Sequence, residues 1–197
     1  GDGDGEGSKG VIMGGREMTM TDVRISGVQT GVEVTSGNLT ISGGTMTGVQ
    51  TGISMMGSGM LTVSGAKITF TGEHGVKVQN GATANLTNMT IAGTGSGKGV
   101  IMESSGTLTM TDVRISGVQT GVYATGGNLT ISGGSISEVQ TGITMMGSGT
   151  LTVNNGAEIT FKGSGMENYG VKVGNEVESA TLTSVTIEGG GSGKGWG

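Results

Sequence analysis

Side chains able to do chemistry are few in this chain of 197 residues, and several of them occur twice. Asp22 and Arg24 reappear as Asp112 and Arg114, inside a stretch, TMTDVRISGVQTGV, that stands unchanged at 19–32 and 109–122. A carboxylate beside a guanidinium is the equipment of a glycan-cleaving groove, where the two carboxylates of an inverting pair stand roughly 6.5–9.5 Å apart. His74 is the sole histidine, so a Ser-His-Asp relay has one candidate base, and no G-x-S-x-G elbow accompanies it. Metal ions want clustered His, Cys or carboxylate ligands. The chain has no Cys and no such cluster, so neither a metal nor a cofactor is expected. Asp2, Asp4 and Glu6 alternate with glycine, but the spacing matches neither an EF-hand nor a calcium-binding β-roll. Residues 1–7 read as a flexible acidic lead-in.

The asparagines of four Asn-x-Thr triplets, Asn38, Asn85, Asn88 and Asn128, read as turn residues, each followed by a core residue and an outward Thr. One segment breaks the duplication. Where the first copy has TGEHG at 71–75, the second has KGSGMENYG at 162–170. Insertions in a repetitive scaffold emerge as surface loops, and such loops carry recognition. Met166, Glu167, Asn168 and Tyr169, with Glu73 and His74 in the shorter counterpart, are therefore the candidate contact residues for a partner.

The elements that must position these residues follow from a shorter period of about 21–24 residues. One element is Gly followed by an alternating apolar pair, as in Val32/Val34, Ile53/Met55, Val76/Val78 and Val122/Ala124. A second has the form apolar–Thr–apolar, as in Leu39/Ile41, Leu61/Val63 and Leu129/Ile131, and a third supplies pairs such as Val23/Ile25 and Ile68/Phe70. Trp196 begins a ninth copy of the first element. Each element is three to five residues long with period-two alternation between Gly, Ser, Asn and Thr, which is strand and turn chemistry. No stretch sustains a helical period.

Three short strands per turn predict an all-β, right-handed parallel β-helix of about eight rungs, made of two four-rung blocks at 8–95 and 97–195. Stacking places like residues over like and buries a continuous apolar column. Rungs about 4.8 Å apart make a rod roughly 38 Å long. They also place Asp22 and Asp112, four rungs apart, roughly 19 Å from each other, too far to share one glycosidic bond. The glycines are assigned to corners, and the absence of Pro suits a chain whose N–H groups are wanted by neighbouring rungs.

Two further patterns are structural on this reading. Outward–inward–outward triplets such as Thr19-Met20-Thr21 and Thr109-Met110-Thr111 form files of hydroxyls similar to an ice-binding face, but Ser and Asn interrupt the Thr too often for a lattice match. Gln29, Gln50, Gln119 and Gln140 occupy equivalent corners and can hydrogen-bond along a ladder. The net charge of −5, with its Lys and Arg scattered singly, provides no basic stripe for nucleic acid. No apolar run approaches the roughly 20 residues of a spanning helix, and GDGDGEGSKG does not read as a signal peptide. Nucleic-acid binding and membrane insertion of this segment are not expected.

The units GKGVIM, LTMTDVRISGVQTGV, GNLTISGG and GVKV resemble passenger repeats of Bartonella-type autotransporters over residues 8–197. The resemblance implies a right-handed β-helix passenger, secreted or held at the bacterial surface, and exported by a C-terminal translocator barrel elsewhere in the full-length protein. It implies a non-enzymatic ligand for a host cell-surface receptor. The relatives it suggests are pro-angiogenic agonists of a vascular endothelial growth factor receptor. Adhesins and spacer segments share the scaffold and are the alternative.

Overall fold

The computed structural model describes residues 7–163 and 165–190. Among these are 24 strands and no helix, and every third strand joins the same sheet, giving three parallel sheets of eight strands. The sheets are named here by their first strands: A begins with Lys9–Met13, B with Glu17–Thr21 and C with Arg24–Ser26. One strand from each makes a rung. Those three form rung 1. Rung 4 comprises His74–Val78, Thr83–Thr87 and Thr90–Ala92, and rung 5 comprises Lys98–Met102, Thr107–Thr111 and Arg114–Ser116. Rung 8 comprises Tyr169–Val173, Ser179–Leu182 and Thr186–Gly190. The parallel β-helix and its eight rungs are as the periodicity predicts. Trp196, Asp2, Asp4 and Glu6 lie outside the described residues.

The core is a set of stacked columns. In sheet A, Val32, Ile53, Val76, Val100, Val122 and Ile143 follow one another rung by rung, and none is accessible to solvent. Burying each such side chain contributes about 1.5–3 kcal/mol, so stability accumulates with rung number.

Glycine has a second use that the corner reading missed. The second residue of every sheet A strand is Gly, and it faces the apolar column of sheet C. A Cβ on Gly121 would stand 2.6 Å from the Gly142 carbonyl oxygen and 2.6 Å from Ile136 Cγ2. These glycines allow sheets A and C to close against each other.

The third element also holds more core than its pattern suggested. Sheet C strands Thr45–Val49 and Ser135–Val139 carry register shifts, after which Val49 pairs with Phe70 and Val139 with Phe161. Gly48 (φ 63°) and Glu138 (φ 52°) take left-handed backbone at these shifts, turning both valines inward to full burial.

Candidate functional site

The two Asp/Arg pairs carry the side chains best suited to catalysis in this chain. Asp22 and Asp112 each sit at the corner between sheets B and C with φ of 52°. The same corner is filled by Gly43, Gly65, Asn88, Gly133 and Ser184, all with positive φ. Asp and Asn tolerate this conformation better than other side chains. Each Asp also lays Oδ1 over the next corner, in the space a Cβ of Gly43 or Gly133 would need. Their positions are thus explained by the turn. Asp112 and Arg114 do line an open notch of about 380 Å³ with Asn88, Met89 and Thr90. Among the described residues no second carboxylate lines it.

The insertion builds a different kind of place. From Thr141 to Tyr169, partners on the adjacent sheet A strands Thr141–Met145 and Tyr169–Val173, the chain takes 28 residues, against 21 from Thr120 to Thr141. Of the longer segment, Glu167, Asn168 and Tyr169 stand with outward residues of sheet A, Tyr123, Thr144 and Lys172. Asn168 staples the loop by donating from Nδ2 to the Lys162 carbonyl at 2.9 Å. Beneath it lies a groove of about 270 Å³ whose lining includes Lys98, Tyr123, Thr144, Glu167, Tyr169 and Lys172.

Two of its contacts pair a cation with an aromatic ring. Lys98 Nζ lies 5.4 Å from the Tyr123 ring centroid, and Lys172 Nζ lies 5.7 Å from that of Tyr169. The Tyr169 hydroxyl shares a 2.6 Å hydrogen bond with Thr144 Oγ1, and Thr141 Oγ1 donates to Thr120 Oγ1 at 2.8 Å. The floor is therefore fixed by its own bonds. The two ammonium groups are held over aromatic faces, and among the described residues no carboxylate pairs with either. Gln119 and Gln140 line its edge. Such a surface offers aromatic area, amide and hydroxyl bonding, and positive charge to a bound partner.

Of the residues singled out from sequence, Met166 is fully exposed on the loop, while Glu167, Asn168 and Tyr169 line the groove. Glu73 is exposed at its own corner, close to Lys77. His74 corrects its expectation as a contact residue, because it is buried at 4% exposure and cannot meet a partner directly. It occupies the place of Tyr169 one block earlier, and its Nε2 hydrogen-bonds Ser54 Oγ at 3.1 Å. Burial lowers its pKa to about 4, with Glu73 opposing that shift and Lys77 adding to it. Its Nδ1 is buried without a hydrogen-bond partner.

Lys98, Tyr123, Thr144 and Lys172 were not picked out from the sequence. A signal existed at two of them: aligning the blocks puts Tyr123 opposite Glu33 and Thr144 opposite Ser54. Among the described residues no group of three or more potential metal ligands occurs, and no helix is long and apolar enough to cross a membrane.

A family model described as a right-handed β-helix region matches residues 9–157 and, overlapping these, 74–195. The chain belongs to that family. Neither the curated proteins nor the solved structures yield a match.

Proposed function

We propose that this β-helix is a secreted, non-enzymatic autotransporter passenger that binds a host cell-surface receptor through the groove beneath the 162–170 loop. One observation carries the reading. The groove lies where the two blocks depart from each other, so the duplicated scaffold supplies the fold and the departure supplies the contact. The separation of Asp22 from Asp112 and the burial of His74 support a non-enzymatic role. The resemblance to Bartonella-type passengers supports the finer form, an agonist of a vascular endothelial growth factor receptor carried to the cell surface by a C-terminal barrel.

The test uses purified protein on endothelial cells, with cell binding and receptor tyrosine phosphorylation as readouts. Wild type binds and triggers phosphorylation, while Tyr123→Glu, folded by circular dichroism, does neither. Wild-type protein that leaves the cells unbound and the receptor unphosphorylated sinks the reading.

A second reading, an adhesin or spacer, is favoured by sheet B. Its outward residues are almost all Thr, Ser or Asn, with Glu17 the one charged side chain among them. Binding to cells without phosphorylation selects it.

A further inference from the structure

The chain contains two Asn-Gly pairs, Asn80-Gly81 and Asn155-Gly156, each followed by alanine. The first joins the sheet A strand His74–Val78 to the sheet B strand Thr83–Thr87, and the second joins Gly149–Asn154 of sheet B to Glu158–Lys162 of sheet C. Both are tight turns of one kind. Asn80 and Gly81 have φ of 54° and 76°, and Asn155 and Gly156 have 56° and 79°. Ala82 N donates to the Gln79 carbonyl at 3.1 Å and Ala157 N to the Asn154 carbonyl at 3.3 Å, closing each turn. Each asparagine also donates from Nδ2 to a neighbouring rung, Asn80 to the Met56 carbonyl at 2.7 Å and Asn155 to Ser132 Oγ at 2.6 Å. All four residues are exposed.

The turns differ at one atom. Gly156 N donates to the Ser184 carbonyl of the next rung at 2.8 Å, whereas among the described residues Gly81 N has no acceptor. At the corner that follows Gly81 in the stack, Ser104 sends its Oγ to the Ala82 carbonyl at 2.7 Å, so the contact between corners bypasses Gly81. The nitrogen after an asparagine is the nucleophile that can attack the asparagine's own side-chain amide. Here the bond from Gly81 N to Asn80 Cγ forms, the Cγ–Nδ2 bond breaks, and ammonia leaves with the proton given up by Gly81 N. Water then opens the resulting succinimide ring at either carbonyl, to aspartate or to isoaspartate. Glycine has no Cβ to obstruct the attack. A hydrogen bond from its N–H to a carbonyl opposes the reaction, because that proton must be released.

We infer that Asn80 is a site of spontaneous deamidation in the folded protein, while Asn155 is protected by the Ser184 carbonyl. The product carries a carboxylate where Nδ2 donated to the Met56 carbonyl, so the tie between those two neighbouring rungs is lost. Isoaspartate also reroutes the backbone through the side chain, in a turn that must close from Gln79 to Ala82. Each molecule thus carries one corner that records its age.

The test keeps the whole chain folded at neutral pH for as long as the denatured chain needs to convert. Peptide mass mapping and labelling by isoaspartyl methyltransferase read the products at each site. In the folded chain the Asn80 peptide converts at least about fivefold faster than the Asn155 peptide, the factor expected for one hydrogen bond. In denaturant the two rates converge, since both pairs have the same following residue. Asn80→Gly, which keeps positive φ accessible, removes the isoaspartate signal of the folded protein, and Asn155→Gly leaves it in place. Equal rates in the folded chain, or faster conversion of Asn155, overturn the inference. A folded chain in which neither site converts overturns it as well, and so does a rate difference that persists undiminished in denaturant.

Discussion

The outer face of sheet A appears twice in this molecule, once in each block, and the two versions differ at few positions. In the first, Lys9 Nζ meets Glu33 Oε2 at 2.7 Å, and the charge is neutralised on the surface. In the second, Lys98 stands in the same place and the carboxylate has become Tyr123, so the ammonium lies over an aromatic ring instead of a carboxylate. Ser54 bonds His74 in the first and Thr144 bonds Tyr169 in the second. Even the bond between neighbouring threonines is repeated, Thr51 to Thr30 at 3.0 Å and Thr141 to Thr120 at 2.8 Å. Two tyrosines and one loop thus turn a closed, ion-paired face into a groove, with the backbone register unchanged. A duplicated solenoid can keep one copy as scaffold and alter the other for contact.

Where the blocks agree, the same substitution should cost the same in both. A Cβ on Gly31 would stand 2.8 Å from the Gly52 carbonyl oxygen and 2.7 Å from Met46 Sδ, and Gly121 is as crowded. Gly31→Ala and Gly121→Ala should each lose about 3 kcal/mol in denaturant unfolding, the upper part of the overpacking range. A loss confined to one block would break the comparison.

Where the blocks differ, pH separates them. His74 has a folded pKa of about 4 against 6.5 unfolded, so above the unfolded value it is neutral in both states. As pH falls from 6.5 towards 4, the unfolded chain takes up a proton that the folded chain refuses, and stability declines by up to roughly 3 kcal/mol. His74→Tyr, which copies the second block, should flatten that part of the stability profile. An unchanged profile would remove the histidine as its source.

Tyr123→Glu restores the arrangement of the first block, and we expect at least a tenfold loss of cell binding, about 1.4 kcal/mol, with stability unchanged. Binding that survives would move the contact away from the groove. The smallest effect concerns the register shifts. Glu138 holds φ 52° where the first block has Gly48, and left-handed backbone costs an ordinary residue roughly 1–2 kcal/mol. The added chain entropy of glycine offsets part of this, so Glu138→Gly should stabilise by about 1 kcal/mol in the same unfolding assay.

The architecture was legible because its determinant is local. Alternation between Gly, Ser and Thr specifies a short strand wherever it occurs, and the repeat length then fixes which strands stack. What stayed hidden depends on neighbours in other rungs. Nothing around Val49 says that left-handed backbone at Gly48 will turn it inward onto Phe70. The glycine column of sheet A looks like turn chemistry until the sheet C residues are seen against it. The loop was visible as an insertion, and Tyr169 with it. Lys98 and Tyr123 became part of the groove only when stacking placed them on neighbouring rungs. His74 misled for the same reason: a lone histidine in a corner-like TGEHG reads as exposed, while the strand it begins draws it under its neighbours.

The ladders carry one more consequence, for how such a chain reaches its shape. Although the rod is long, strand partners lie only 21 to 29 residues apart in sequence, from Lys9↔Thr30 to Thr150↔Ser179. β proteins are slow to fold when distant segments must find one another across long loops. Here each new turn needs only the turn before it, and the last completed edge is the template for the next. A chain delivered one end first can become structured in the order in which it arrives, with no part waiting for a partner still to come.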